Sequence, residues 1–238
     1  MPTNQTSSSI RGKALRITRL DACGNIAYGE KASLVTDGFI TINFAAERED
    51  GEETNQKNAN GKLCIVDKAP AQLKRVTAEM EFCGVNPELA SMITGQPVIL
   101  NAAGDAVGVP IGDTIEAFFA LEVWADIPGA ACGIQGARPY FYYCIPFMGA
   151  GVFGDFTIEE SAATFSMTAE SKAPNGWGNG PYDVDLDEEG NPAPLFQPIK
   201  SSDHLWPQRV YVAPPEVTEG AVELVDPSDS GDESDENP

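Results

Sequence analysis

The sequence predicts a mainly β domain with one flanking α-helix, followed by an extended C-terminal arm. Three observations carry that reading. Hydrophobic alternation with a period of two recurs through residues 12–172, one segment holds a full set of helix start and stop signals, and prolines and acids crowd the end of the chain. The 238 residues suit one compact domain plus an extension. At this size about 70% of the unfolded chain's surface is removed on folding, enough to hold a fold without disulfides or metal ions.

The strands follow in order. Ala14, Arg16 and Thr18 alternate with Leu15, Ile17 and Arg19 and run into Asp21-Ala-Cys-Gly24, a hairpin turn with glycine available for a positive φ. Residues 39–46 place Ile40, Ile42 and Phe44 on one face and Thr41 and Asn43 on the other. In residues 72–83, Val76, Ala78, Met80 and Phe82 oppose Arg75, Thr77, Glu79 and Glu81. Residues 114–125 line up Ile115, Ala117, Phe119, Leu121 and Val123 on one side, with Glu116 and Glu122 on the other. These patterns describe strands with one wet face. Residues 140–147 are aromatic or apolar throughout, which predicts burial on both faces, and residues 164–170 alternate again.

The helix belongs between Asn86 and Gly95. Asn86 caps, Pro87 suits the first helical position, Glu88 favours the positive helix end and Gly95 supplies the stop, while Leu89, Met92 and Ile93 form one apolar stripe that should lie on a sheet. Thr157-Ile-Glu-Glu160 also matches a capping box, although β-like residues follow it. Residues 47–60 join two apolar strands through a charged and amide-rich stretch, longer than a hairpin needs, as a functional or mobile loop would.

Composition breaks near residue 173. Residues 174–238 hold ten of the 18 prolines, and residues 183–238 hold 15 acids against Lys200 and Arg209, a net −13 of the total −21. The expected divisions are an N-terminal arm at 1–11, a β domain at 12–173, a proline-rich extended arm at 174–226 and an acidic tail at 227–238. The tail has no apolar side chain with which to offset ordering entropy and should be disordered.

A net charge of −21 and a pI near 4.2 exclude a general nucleic-acid clamp, whose affinity comes from basic groups displacing phosphate counterions, and disfavour docking on an anionic membrane. The polar, Ser/Thr-rich start predicts no secretory leader, and no apolar run reaches membrane-spanning length. Five scattered cysteines, Cys23, Cys64, Cys83, Cys132 and Cys144, without CxxC spacing and beside the single His204, read as reduced, mostly buried thiols of a cytoplasmic protein.

Four motifs touch on chemistry, and each has a plainer reading. Gly149-Ala-Gly151-Val-Phe-Gly154 matches a dinucleotide fingerprint, but β-like residues follow where a helix is required, so a glycine-rich loop is expected. Asp185-Leu-Asp187-Glu-Glu189-Gly190 opens like a calcium loop, yet Phe196 stands at the twelfth position and Pro192 and Pro194 block an exit helix, which leaves a turn. Ser202-Asp203-His204 holds three hydrolase residue types, but contiguous side chains of an extended segment diverge; His204, Leu205 and Trp206 read as an anchor of the arm. Glu79 and Glu81 share a strand face and would suit glycoside hydrolysis only with a convergent partner, so a solvated sheet face is expected. No catalytic, cofactor-binding or metal-binding residue is assigned, and no enzyme is expected.

From Gly12 to about Glu170 the chain resembles the major tail tube proteins of long-tailed, non-contractile bacteriophages, particularly those of actinobacterial hosts. The resemblance rests on the succession of Gly12-Lys-Ala-Leu-Arg-Ile-Thr-Arg-Leu-Asp21 with its Gly24 turn, Val35-Thr-Asp-Gly-Phe-Ile-Thr-Ile42, the acidic loop through Glu53, Asn58-Ala-Asn-Gly-Lys-Leu-Cys64, and Glu81-Phe-Cys-Gly-Val-Asn-Pro-Glu-Leu-Ala-Ser-Met-Ile-Thr-Gly95. It implies a β-sandwich or partly open barrel with a flanking helix, hexameric rings of identical subunits, and stacking of the rings into a tube that conducts double-stranded DNA out of the capsid without binding it specifically. It also implies a place in the virion tail, after assembly in the host cytoplasm, with tape measure, terminator and distal tail proteins as partners.

Within that resemblance, Glu79 with Glu81, or Glu116 with Glu122, would line the bore. Arg48, Glu49, Asp50, Glu52, Glu53, Gln56 and Lys57 would touch the next ring, with the N-terminal segment from Thr3 to Arg11 and the arm around Leu205 to Val212 as the second contact. Leu205, Trp206, Val210 and Tyr211 would anchor the arm. The competing readings are a tail terminator or head-to-tail connector ring, and a carbohydrate-binding β-sandwich, which would need Trp177 and the aromatic cluster of Tyr140 to Tyr143 exposed.

Overall fold

Alternation in the strands produces two antiparallel sheets that share one core, and the helix closes its side. The computed structural model describes residues 11–84, 86–127, 138–155, 164–173, 177–180 and 182–226. Strands β1 (Arg11–Leu20), β2 (Gly29–Thr36), β3 (Phe39–Glu49), β4 (Glu53–Lys57), β5 (Leu63–Lys68) and β6 (Gln72–Phe82) precede helix α1 (Pro87–Thr94). After it come β7 (Ile99–Leu100), β8 (Ala106–Gly108), β9 (Phe118–Asp126), β10 (Tyr140–Gly149), β11 (Val152–Phe153) and β12 (Phe165–Glu170). The C-terminal region adds β13 (Asp185–Leu186), β14 (Pro192–Ala193), β15 (Trp206–Val210) and β16 (Val222–Leu224). The protein is therefore mainly β, with one helix among the described residues.

The larger sheet runs β15-β10-β9-β1-β2-β16 and the smaller β11-β12-β6-β3. Between them lies the main core. Leu15, Ile17, Leu34, Phe119, Leu121, Val123, Ile145 and Met148 come from the larger sheet; Val76, Ala78, Met80, Phe82, Met167 and Ala169 from the smaller; Leu89, Ala90, Met92 and Ile93 from α1. Each large apolar side chain removed from water here contributes about 1.5–3 kcal/mol before entropy is subtracted. The helix forms as its signals predict: Asn86 Oδ1 accepts from the backbone N–H groups of Glu88 (2.9 Å) and Leu89 (3.3 Å), and Gly95 closes the end at φ 73°. Its close seat against β11 leaves no room for a side chain at Gly151, where a Cβ would come within 2.5 Å of Ile93 Cγ2.

A third layer lies on the far face of the larger sheet. There Leu20, Ala120, Trp124, Tyr142, Cys144 and Phe147 pack against Trp177, Val184, Leu195, Ile199 and Val210. The same C-terminal stretch supplies both outer strands of that sheet, β15 beside β10 and β16 beside β2. This is why 140–147 is aromatic at five of its eight positions and polar at no position but the tyrosine hydroxyls: β10 is covered on both faces, as expected.

Several expectations are corrected in detail. The strand expected at 114–125 begins at Phe118, since residues 111–116 are exposed and outside the sheet. A bulge between Phe39 and Thr41 gives Phe39 the core-facing place and leaves Ile40 half exposed. The segment 47–60 is not a loop: β3 continues to Glu49, and β4 pairs with β5 as a separate two-stranded ribbon. Among the described cysteines only Cys144 is buried, while Cys23, Cys64 and Cys83 are exposed, so the thiols are not mostly interior. Cys132, the segment Thr157 to Glu160, the N-terminal contact from Thr3 to Ile10 and the acidic tail 227–238 lie outside the described residues.

Candidate functional site

The outer face of the four-stranded sheet is polar along β6. Since Val76, Ala78, Met80 and Phe82 point into the core, the alternate residues of β6 point away from it. Register then assembles rows across the strands. Thr41, Glu81 and Ser166 form one row, and Asn43, Glu79 and Thr168 the next. Asn43 Nδ2 donates to Glu79 Oε2 at 3.3 Å. On β3, β6 and β12 these two rows hold carboxylates, hydroxyls and an amide and no cation, and on β11 the second row ends in the exposed Val152 beside Thr168.

Further along the same face the charges pair. Arg75 donates from Nε to Glu47 Oε2 (2.5 Å) and from an Nη to Glu170 Oε2 (2.7 Å), and Lys74 Nζ reaches Glu47 Oε1 at 3.1 Å. Hydrogen bonds from Arg75 and then Lys74 hold the Glu47 carboxyl below its ordinary range. A groove of about 780 Å³ opens beside this end, lined by Lys74, Arg75, Glu116, Phe118, Glu170 and Lys172. Arg75 is held by its two carboxylates there, and the Lys172 ammonium sits 4.4 Å from the Phe118 ring centroid.

The opposite face of the molecule is closed. Glu122, expected to face water, is fully buried beneath the C-terminal layer. Its carboxylate takes Arg16 Nε on Oε2 and an Arg16 Nη on Oε1, both at 2.6 Å, and Tyr142 donates to Oε1 at 2.5 Å. The Arg16 guanidinium lies 3.4 Å from the Tyr182 ring centroid and 5.0 Å from that of Trp124, and the Tyr182 hydroxyl meets Thr18 Oγ1 at 2.7 Å. Burial opposes the charge on Arg16, but the Glu122 pair outweighs it and raises the guanidinium pKa. Burial, then the nearby carboxylate, keeps the Tyr182 phenol and the Cys144 thiol protonated. This bidentate pair knits β1 to β9 and seats the third layer through Tyr182. A lumen-lining role for Glu122 is therefore corrected, whereas Glu116 remains exposed on the approach to β9.

The other predicted residues are placed as follows. Arg48 and Glu49 end β3, Asp50 and Glu52 lie in the exposed connection, and Glu53, Gln56 and Lys57 stand on β4, all exposed. Leu205 packs on the main core, Val210 is fully buried in the third layer, Trp206 donates to Gln208 Oε1 at 3.1 Å, and Arg138 covers the Tyr211 ring at 4.9 Å.

The motifs resolve into structure. Residues 149–154 pass from β10 into β11. Asp185 turns to Arg138 at 3.1 Å while Asp187 caps its own turn through Asn191, so the two carboxylates diverge. His204 bonds Ser171 rather than its neighbour Ser202: Nδ1 lies 2.7 Å from Ser171 Oγ, which also accepts from the Val76 amide. Asp203 instead receives Ser202 and the Lys200 amide, so no triad geometry forms. Tyr142 and Trp177 are packed in the third layer, away from any sugar.

Sequence reasoning missed Arg16 as the partner of Glu122; the signal that could have found the pair is Glu122 standing alone among the apolar residues of 118–125, a carboxylate that needs a cation once buried. No protein-family model matches the chain, and no curated protein matches it. Among the described residues no helix is long and apolar enough to cross a membrane.

Proposed function

We propose that the chain is a structural tail tube protein of a long-tailed, non-contractile phage, polymerising as stacked hexameric rings into the conduit for genome ejection. One observation carries the reading. The outer face of the larger sheet is sealed by the protein's own C-terminal layer, while on the outer face of the smaller sheet no described residue covers Glu79 and Glu81, which stand among hydroxyls, and Arg75 further along is held by Glu47 and Glu170. That smaller sheet ends in the 11-residue β3 on one side and the two-residue β11 on the other. Joining the β3 edge of one copy to the short edge of the next would continue the sheet around a ring and remove the open strand border.

In such a ring the Glu79 and Glu81 face turns toward the bore. A duplex sliding past many rings must not be held, and each phosphate neutralised would add a salt slope of about −0.9 in log affinity. Carboxylates, hydroxyls and an amide supply no such contact. Tape measure, terminator and distal tail proteins are the expected neighbours of the tube, in the virion. The combined E79K/E81K change tests the lining. Tubes should still assemble, but DNA should leave more slowly, with the delay relieved by added salt; release at the unaltered rate would refute the assignment.

A further inference from the structure

The ribbon formed by β4 and β5 is exposed along its whole length. Every residue from Glu53 to Lys68 is exposed, and the two strands pair only with each other. Its turn is well built: Asn58 Oδ1 accepts from the amides of Asn60 and Lys62 at 3.0 Å each, and Gly61 takes φ 76°. Yet it carries Leu63, Ile65 and Val66 at 56%, 51% and 62% exposure. An isolated two-stranded ribbon is marginal in water, and apolar side chains gathered on one mark a contact surface.

A second apolar surface lies elsewhere on the chain. The β7–β8 hairpin and the stretch after it expose Ile99, Leu100, Val107, Ile111 and Ile115. This surface is fixed in place. Asn101 and Asp105 close the hairpin turn with reciprocal bonds of 2.8–3.0 Å, and Gln96 Nε2 donates to the Asp113 carbonyl at 2.6 Å.

The charges of the two surfaces differ in sign. The ribbon from Glu53 to Lys68 holds Lys57, Lys62 and Lys68 against Glu53 and Asp67, with Lys57 and Lys62 next to the turn and both acids at its base; residues 95–117 contain Asp105, Asp113 and Glu116 and no base. We propose that the β4–β5 ribbon of one copy docks on the β7–β8 hairpin and residues 109–116 of a second copy. Apolar contact supplies affinity, and the lysine–carboxylate match sets register and orientation. Both surfaces are exposed on the same chain, so neither covers the other within one copy. A contact between two different patches is head-to-tail: it repeats, closing a ring or climbing as a filament. The inference rests on the assembly reading for the presence of neighbouring copies, and adds which surfaces meet.

Native Cys64, exposed between Leu63 and Ile65, makes the contact measurable. In full-length protein with Cys23, Cys83 and Cys132 changed to serine, one sample keeps Cys64. The other carries Cys64→Ser and Val107→Cys. Mixed at assembly concentration with a short bis-maleimide, they should yield a 64–107 cross-link between copies, identified by mass spectrometry. The cross-link should be lost when the first sample carries K57E/K62E and recovered when the second then carries D105K/D113K. Rings or tubes that form without a 64–107 cross-link overturn this docking and leave the tube reading standing. Chains that remain monomeric and uncross-linked overturn both.

Discussion

The two sheets of this protein share a core and part company on their outer faces. The larger sheet is covered by the C-terminal stretch from Trp177 to Val210, and its one buried carboxylate, Glu122, is matched by Arg16, Tyr142 and a ring from the covering layer. The smaller sheet has the same alternation and a comparable share of charge, but nothing from its own described chain lies on Glu79, Glu81 or the hydroxyls beside them. Identical patterning on paper thus has two physical outcomes. Glu122 on the covered sheet is a structural element whose loss strands a cation, whereas Glu79 and Glu81 on the bare sheet hold no cation among the described residues.

The sharpest way to break this comparison is to remove one glutamate from each face. Glu122→Ala leaves the Arg16 guanidinium buried without its counter-ion and should cost about 3–5 kcal/mol. Glu79→Ala should leave the urea midpoint unmoved, and equal shifts in the two variants would dissolve the distinction. Next in size is Trp177→Ala, which empties part of the third layer. A loss of roughly 3 kcal/mol is expected, with faster proteolytic cutting in 182–212 than in β6 or β12. Asn86→Ala removes the cap of α1, on which both sheets lean, and should cost about 1 kcal/mol, read by denaturant unfolding.

The smallest expected effect is on pH. Burial pulls the His204 imidazole below its ordinary value, with Asp203 opposing, while Ser171 holds Nδ1. In the unfolded chain the ring titrates near about pH 6.5. Because the folded value is lower, the fold favours the neutral ring. The stability this confers is present above that pH and is lost as pH falls through the folded value. Thermal unfolding between pH 7.5 and 5.5 should show a declining midpoint that flattens in His204→Gln; parallel curves would remove His204 from the explanation.

Much of the fold was legible because strands with one wet face announce themselves. The positions of β1, β6 and β12 follow from period-two alternation, β10 from its aromatic run, and α1 from its cap, proline and terminal glycine. The status of Glu122 was not legible, because alternation tells which side of a strand a residue takes and not whether a layer some 60 residues downstream will cover that side. The covering layer itself escaped notice, since Trp177, Val184, Leu195 and Ile199 are spaced irregularly along proline-rich chain that pairs little. The β4–β5 ribbon was hidden for the opposite reason. Its strands are exposed on both faces, so no hydrophobic period marks β4, and its turn pair Asn60-Gly61 was the one signal that could have revealed it.

The central claim is that the bare acidic face of the smaller sheet is completed by neighbours into the wall of a channel. Electron cryo-microscopy of the concentrated protein tests it most directly. The account predicts hollow, six-fold cross-sections in which β11, β12, β6 and β3 of successive subunits form one continuous inner wall, with Glu79 and Glu81 turned to the bore. Single-chain particles at every concentration, or rings with that sheet on the outside, would contradict it.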